Sequence, residues 1–220
     1  NHHLVVFQPQ SKTGVRQAMT YTLPVFPPSA PRSVSVVVSN AQATVSWLAP
    51  SSNGGVAITS YLVASSPGVH SCTYTVPAGS TAAPSCVVTG LTNGRSYTFT
   101  VSATNSAGTS EQSAISASAI PVTTPSAPMS VVGTSGDSRV NLSWTAPLQN
   151  GGTEITDYEV WYSAFSIGPF VTFPDSVSTS RTAVVTGLTN GSTYYFKVVA
   201  VNAVGLGETS AMSAGVVPAA

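Results

Sequence analysis

Residues 90–108 read GLTNGRSYTFTVSATNSAG, and residues 187–205 read GLTNGSTYYFKVVAVNAVG. Every matched position keeps one offset of 97 residues: Leu91 and Leu188, Tyr97 and Tyr194, Asn105 and Asn202, Gly108 and Gly205. The same offset relates Trp47 to Trp144, Ala49-Pro50 to Ala146-Pro147, and Asn53-Gly54-Gly55 to Asn150-Gly151-Gly152. A repeat of this length marks a tandem array of one small domain. Within the quoted stretch Tyr97, Phe99, Val101, Ala103 and Asn105 fall on alternate positions, the period of a strand with one buried face.

Working outward, the same period recurs. ATVSW (43–47) and VNLSW (140–144) aim Ala43, Val45 and Trp47, or Val140, Leu142 and Trp144, to one side. Ala-Pro ends each of these strands, and Asn-Gly-Gly follows as a turn that tolerates positive φ. Tyr61 and Val63, matched by Tyr158 and Val160, alternate in the next strand. No helical period persists over ten residues. Many short alternating strands between turn signals predict an all-β chain of sandwiches.

Both repeats resemble the fibronectin type III domain. The resemblance rests on Pro-Ser-Ala-Pro at the start, Trp on the second strand, and the Leu-Thr-Asn-Gly-x-x-Tyr-x-Phe-x-Val-x-Ala-x-Asn-x-x-Gly signature. It implies two tandem seven-strand, immunoglobulin-like sandwiches, over 28–123 and 124–220. It further implies that Tyr97 and Tyr194 are tyrosine corners bonded to upstream backbone, and that Trp47 and Trp144 lie between the sheets. Residues 1–27 form an N-terminal arm or partial upstream domain. On the same offset they read as a hairpin, His3–Gln8 and Val15–Pro24, resembling the last two strands of a preceding sandwich. A lone hairpin is marginal in water. Docking on a neighbouring subunit by strand addition is therefore one reading, with Leu4 and Val6 as candidate contacts. A remnant packed on its own first domain is the other.

Charged residues make up 6% of the chain and hydrophobic residues 42%, with seven basic and seven acidic side chains. A nucleic-acid partner would need clustered Lys and Arg, which are absent. No apolar run approaches the ~20 residues of a membrane span, so no membrane insertion is expected. The first copy alone carries cysteines, Cys72 and Cys86, with Pro169 and Ala183 at the same offset in the second. A pair gained together reads as a disulfide, against the alternatives of two free thiols or a metal site, and implies an extracytoplasmic, secreted or cell-surface location.

Catalytic, metal-binding and cofactor-binding residues are not expected. The histidines are His2, His3 and His70, with no spacing that suggests a triad. His70 reads as exposed. Glu154, Asp157 and Glu159 read as a solvated face in preference to a calcium site. Asn93-Gly94-Arg95 resembles an adhesion tripeptide, but the repeat of Asn-Gly makes it structural. Asn141 and Asn190 match the glycosylation sequon. The aromatic stretch 161–173 is the best candidate contact surface, with Phe165, Ile167 and Phe170 foremost.

The chain is thus expected to be a non-enzymatic extracellular structural or adhesive protein, a rod belonging to a surface filament or larger adhesin. Its partners would be neighbouring copies of itself or other domains of a longer chain. The alternatives are spacer domains of a secreted polysaccharide-degrading enzyme, or a module that binds carbohydrate or a cell-surface receptor.

Overall fold

A computed structural model describes residues 3–7, 18–80 and 82–220. The chain divides into two compact units, the first carried by residues up to Ile120 and the second from Pro121 onward; the turns 39–41 and 92–95 group with the second. Ahead of the first sandwich, β1 (His3–Phe7) pairs antiparallel with β2 (Ala18–Thr22), His3 opposite Thr22 and Phe7 opposite Ala18. The expected hairpin is therefore present in the backbone. Leu4 falls opposite Tyr21 and Val6 opposite Met19. The side chains of Leu4 and Val6, like His2 and the loop 8–17, lie outside the described residues.

The first sandwich comprises β3 (Arg32–Ser39), β4 (Gln42–Leu48), β5 (Ser60–Ser66), β6 (Ser71–Thr75), β7 (Ser85–Thr89), β8 (Thr98–Asn105) and β9 (Gly108–Thr109). They form a three-stranded sheet in the order β3-β4-β7 and a four-stranded sheet in the order β6-β5-β8-β9. The second repeats this plan with β10 (Met129–Gly136), β11 (Arg139–Thr145), β12 (Ile155–Ser163), β13 (Val171–Thr172), β14 (Thr182–Thr186), β15 (Tyr195–Asn202) and β16 (Gly205–Thr209). Its sheets run β10-β11-β14 and β13-β12-β15-β16.

The cores are those the alternation predicts. Val45, Trp47, Val63, Phe99 and Val101 are buried in the first, and Leu142, Trp144, Val160, Phe196 and Val198 in the second. Each tryptophan packs on the tyrosine of the next strand, Trp47 on Tyr61 with centroids 5.2 Å apart and Trp144 on Tyr158 at 5.4 Å. Outward positions of the three-stranded sheets carry hydroxyls, such as Thr44, Ser46 and Thr89, where an average domain would carry charge.

Buried side-chain polar groups do the joining. Asn105 donates from Nδ2 to the carbonyls of Phe26 and Asn53, both at 2.8 Å. Its Oδ1 accepts the N–H groups of Ala107 (2.8 Å) and Gly108 (3.1 Å). All four hydrogen-bonding positions of one amide are used. The segment leading into the sandwich, the Asn53-Gly54 turn and the turn after β8 are thereby held at one point. Gly54, at φ +73°, must be glycine because a Cβ there would collide with the Phe26 carbonyl. Asn202 makes the equivalent four bonds to Thr123, Asn150, Val204 and Gly205.

The last strand of each sandwich departs from the period of two. Ser110, Ser113 and Ser116 recur every third residue. Their N–H groups donate to the carbonyls of Ala103, Val101 and Phe99 at 2.8, 2.8 and 3.0 Å. Their Oγ atoms accept the N–H groups of those same β8 residues at 2.9, 3.0 and 3.0 Å. Each hydroxyl then donates to the following carbonyl, those of Glu111, Ala114 and Ala117. Ser210 and Ser213 repeat the arrangement on Val198 and Phe196. A three-residue step is that of a polyproline-type strand, and here a hydroxyl replaces the acceptor that a β-ladder would take from backbone.

The substitution Asn105→Asp tests the amide. At pH 7 a carboxylate would keep the two accepting bonds and face two carbonyls with no proton to give, costing about 3 kcal/mol or more. Burial beside carbonyls raises its folded pKa above the unfolded value. The penalty is then full above the folded pKa and shrinks as pH falls through it. Denaturant titrations of variant and parent should show the gap narrowing from pH 7 to pH 4.

Candidate binding surface

Cys72 and Cys86 form a disulfide with Cα atoms 6.2 Å apart. It joins β6 to β7, which are edge strands of opposite sheets on the same side of the first sandwich. The bond closes that open side. Its counterpart in the second copy is not the pair given by a fixed offset. Val63 lies opposite Cys72, whereas in the second copy Trp161 lies opposite Thr172 and the Val160 carbonyl accepts the Phe173 N–H at 2.7 Å. Phe173 therefore occupies the place of Cys72, and Pro169 does not. The repeat slips by four residues because the hairpin between these strands is that much longer in the second copy. Val45 faces Cys86 as Leu142 faces Ala183, so there the offset holds. Phe173 and Ala183 both pack against the second core. A large side chain and a small one thus do by packing what the disulfide does covalently.

The longer hairpin carries all three predicted contact residues of this region. Phe165 and Ile167 project from it, 65% and 97% exposed. Phe170 does not project. It is half-buried, with Lys197 Nζ 4.5 Å from its ring centroid. The three residues do not form one apolar patch.

His70 also departs from expectation. It is half-buried, edge-on to Tyr97 with centroids 6.0 Å apart. Its ring packs where Gly68 and Gly90 have no side chain, so the loop folds inward over the corner. Tyr194 accepts the Thr189 N–H on its hydroxyl at 3.2 Å, the upstream backbone contact expected of it. Tyr97, 1% exposed, occupies the same place in the first copy.

The Asn-Gly turns have a job beyond turning. Asn93 accepts the Ala41 N–H at 2.9 Å and donates to Asn40 Oδ1 at 2.8 Å. Asn190 does the same with Ser138 and Asp137. The amide nitrogen a glycan would need at Asn190 is therefore engaged, and the Asn93 side chain serves the fold.

The acids are likewise occupied. Asp157 Oδ1 accepts the N–H groups of Tyr158 and Ser178, both at 2.8 Å. Glu159 Oε2 accepts the Trp161 indole N–H at 3.2 Å. Glu154 is exposed. Among the described residues no three His, Cys, Asp or Glu side chains converge as metal ligands. Asp175, which the sequence reading passed over, has its carboxyl held above the ordinary value, first by desolvation and then by Asp157 and Glu159. Its surface remains exposed, so solvent screens much of this effect.

The first sandwich also has an open groove of about 680 Å³ floored by Tyr61 and Tyr74 and walled by Ile58, Val76, Pro77 and Pro84. Among the described residues no charged side chain lines it. Burial there raises the Tyr61 phenol above its usual value, with Tyr74 adding to the shift.

Comparison with known proteins agrees with this geometry. The family model of the fibronectin type III domain matches residues 29–118 and 124–216. Human myomesin-2 is 30% identical over 83% of this chain, which spans 13% of its length. Chitinase A1 of Niallia circulans is 32% identical over 84% of the chain and 24% of its own length. Endoglucanase B of Cellulomonas fimi is 34% identical over 83% of the chain and 17% of its own length. The chain thus spans a small part of each relative. Among the described residues no helix is long and apolar enough to cross a membrane.

Two outcomes are expected. Reduction should lower the first sandwich's stability by about 3 kcal/mol, for a closed loop of this length, and leave the second unchanged; the double variant Cys72→Phe, Cys86→Ala should recover part of that loss. Calorimetry with and without reductant measures both. Asp175→Asn should raise the melting temperature slightly at pH 7. A raised folded pKa favours folding below the unfolded pKa and disfavours it above the folded one, so the gain should vanish by pH 3.

Proposed function

Because this chain belongs to the fibronectin type III family in both of its halves, we propose that it is a non-catalytic structural and adhesive module of an extracellular chain. In this reading the two sandwiches space or assemble larger parts, in a surface filament or adhesin. The observation that carries it is the use made of the polar groups. Asn105, Asn202, Asn93, Asn190, Asp157 and the buried serines spend their hydrogen bonds on holding loops and strands. The disulfide supports an oxidising compartment. Near-zero net charge leaves little self-repulsion to oppose dense association.

Assembly would run through the β1–β2 hairpin, by addition of a strand to a neighbouring copy. Light scattering coupled to size exclusion, on the full chain and on one lacking residues 1–24, tests this. The expected result is concentration-dependent association that the deletion abolishes. A strict monomer in both cases overturns it.

A second reading is favoured by the two relatives named chitinase and endoglucanase, each matched over more than four-fifths of this chain. There the pair would be a spacer in a secreted enzyme that cleaves a polysaccharide, and a strict monomer would be the expected state.

A further inference from the structure

The second sandwich carries a specialised outer face on its four-stranded sheet. On β12 and β15 the inward residues Tyr158, Val160, Phe196 and Val198 are buried in the core. The intervening residues Glu159, Trp161, Tyr195 and Lys197 point outward and are half-buried. Register sets Trp161 opposite Lys197, Glu159 opposite Val199 and Tyr195 opposite Ser163. The group is held in place: Trp161 donates to Glu159 at 3.2 Å, and Lys197 lies over the Phe170 ring.

The first sandwich shows what the fold alone requires here. At the same registered positions it has Leu62, Ala64, Thr98 and Thr100. The two copies share a core and a topology, so rings and charges at these places exceed structural need. Gly215 stands where the first copy has Ser118, and a Cβ there would meet Thr193 Cγ2 at 2.8 Å and the Tyr195 ring at 3.2 Å. The longer hairpin adds Phe170 to the same face.

The chemistry selects the ligand. Rigidly held aromatic rings present faces on which the C–H side of a pyranose stacks. Glu159 retains lone pairs to accept hydroxyl protons, and Lys197 has donors for hydroxyl oxygens. Lys197 offsets Glu159, and the nearby carboxylates Asp157 and Asp175 leave no positive excess to draw an anionic ligand, which leaves a neutral one. A protein interface would instead deplete charge at its centre. We propose that this face, centred on Trp161, Tyr195 and Lys197, is a binding site for a neutral polysaccharide chain. The site goes beyond the spacing role, which stands or falls separately.

The full chain is incubated with microcrystalline cellulose, with chitin and with an insoluble anionic polymer, calcium alginate, and the bound fraction is measured for the parent and for Trp161→Ala, Tyr195→Thr and Lys197→Thr. Each variant installs the first copy's residue, which the fold already accepts; melting temperatures within a few degrees of the parent verify this. The parent should be retained on at least one polymer, and Trp161→Ala and Tyr195→Thr should each weaken retention about tenfold or more. Phe165→Ala with Ile167→Ala, on the projecting loop, should leave retention unchanged. The proposal is overturned if neither polymer retains the parent, if the variants are retained equally, or if only the projecting-loop variant loses binding. Retention on an anionic polymer alone, lost with Lys197→Thr and kept with Trp161→Ala, would also overturn it.

Discussion

The four-bonded amide of Asn105, and its equal Asn202, is the constraint on which each sandwich depends. A β-sandwich has two sheets and several turns that must agree on one register, and backbone ladders fix only the strands within a sheet. The amide sits at the end of β8, which carries Phe99, Val101 and Ala103 into the core, and takes hold of three separate chain segments at once. An incomplete set would leave buried carbonyls and N–H groups unpaired, each a cost of about 1–3 kcal/mol. The junction is therefore all or nothing, and it gives the hydrophobic halves of the sandwich a fixed frame in which to pack.

Much of the fold was legible because it repeats. Two copies of one sequence reveal what both must keep, and Trp47, Tyr97, Asn105 and their partners all serve the fold at those positions. The same ruler failed at the hairpin before β13, where a four-residue extension displaced Pro169 and brought Phe173 to the place of Cys72. Sequence offset measures chain length, whereas register measures pairing, and an extension separates the two. The serine-bearing last strand was missed for another reason: a search for alternation at two cannot register a step of three, and serine reads as surface. The spacing of Ser110, Ser113 and Ser116 was nevertheless in plain view.

The candidate surface was legible only in part. Aromatic residues in 161–173 drew attention to one region, but Phe165, Ile167 and Phe170 stood foremost together, and of these Phe170 alone lies against Lys197. Which rings share a face is decided by cross-strand partners. Tyr195 and Lys197 come from a strand more than thirty residues further along the sequence, and pairing brings them beside Trp161. No local reading of either strand contains that neighbourhood.

The hydroxyl-for-backbone exchange on the last strand has a consequence for solubility. An edge strand ordinarily offers a row of free groups at the two-residue spacing of any other strand, and proteins blunt it with lysine or other charge. This chain has little charge to spend. Its closing strand instead advances by threes, and the serine hydroxyls consume carbonyls of their own segment. A foreign strand arriving there meets the wrong spacing and every third carbonyl already taken, so the edge guards itself by mismatch of period where other proteins rely on repulsion.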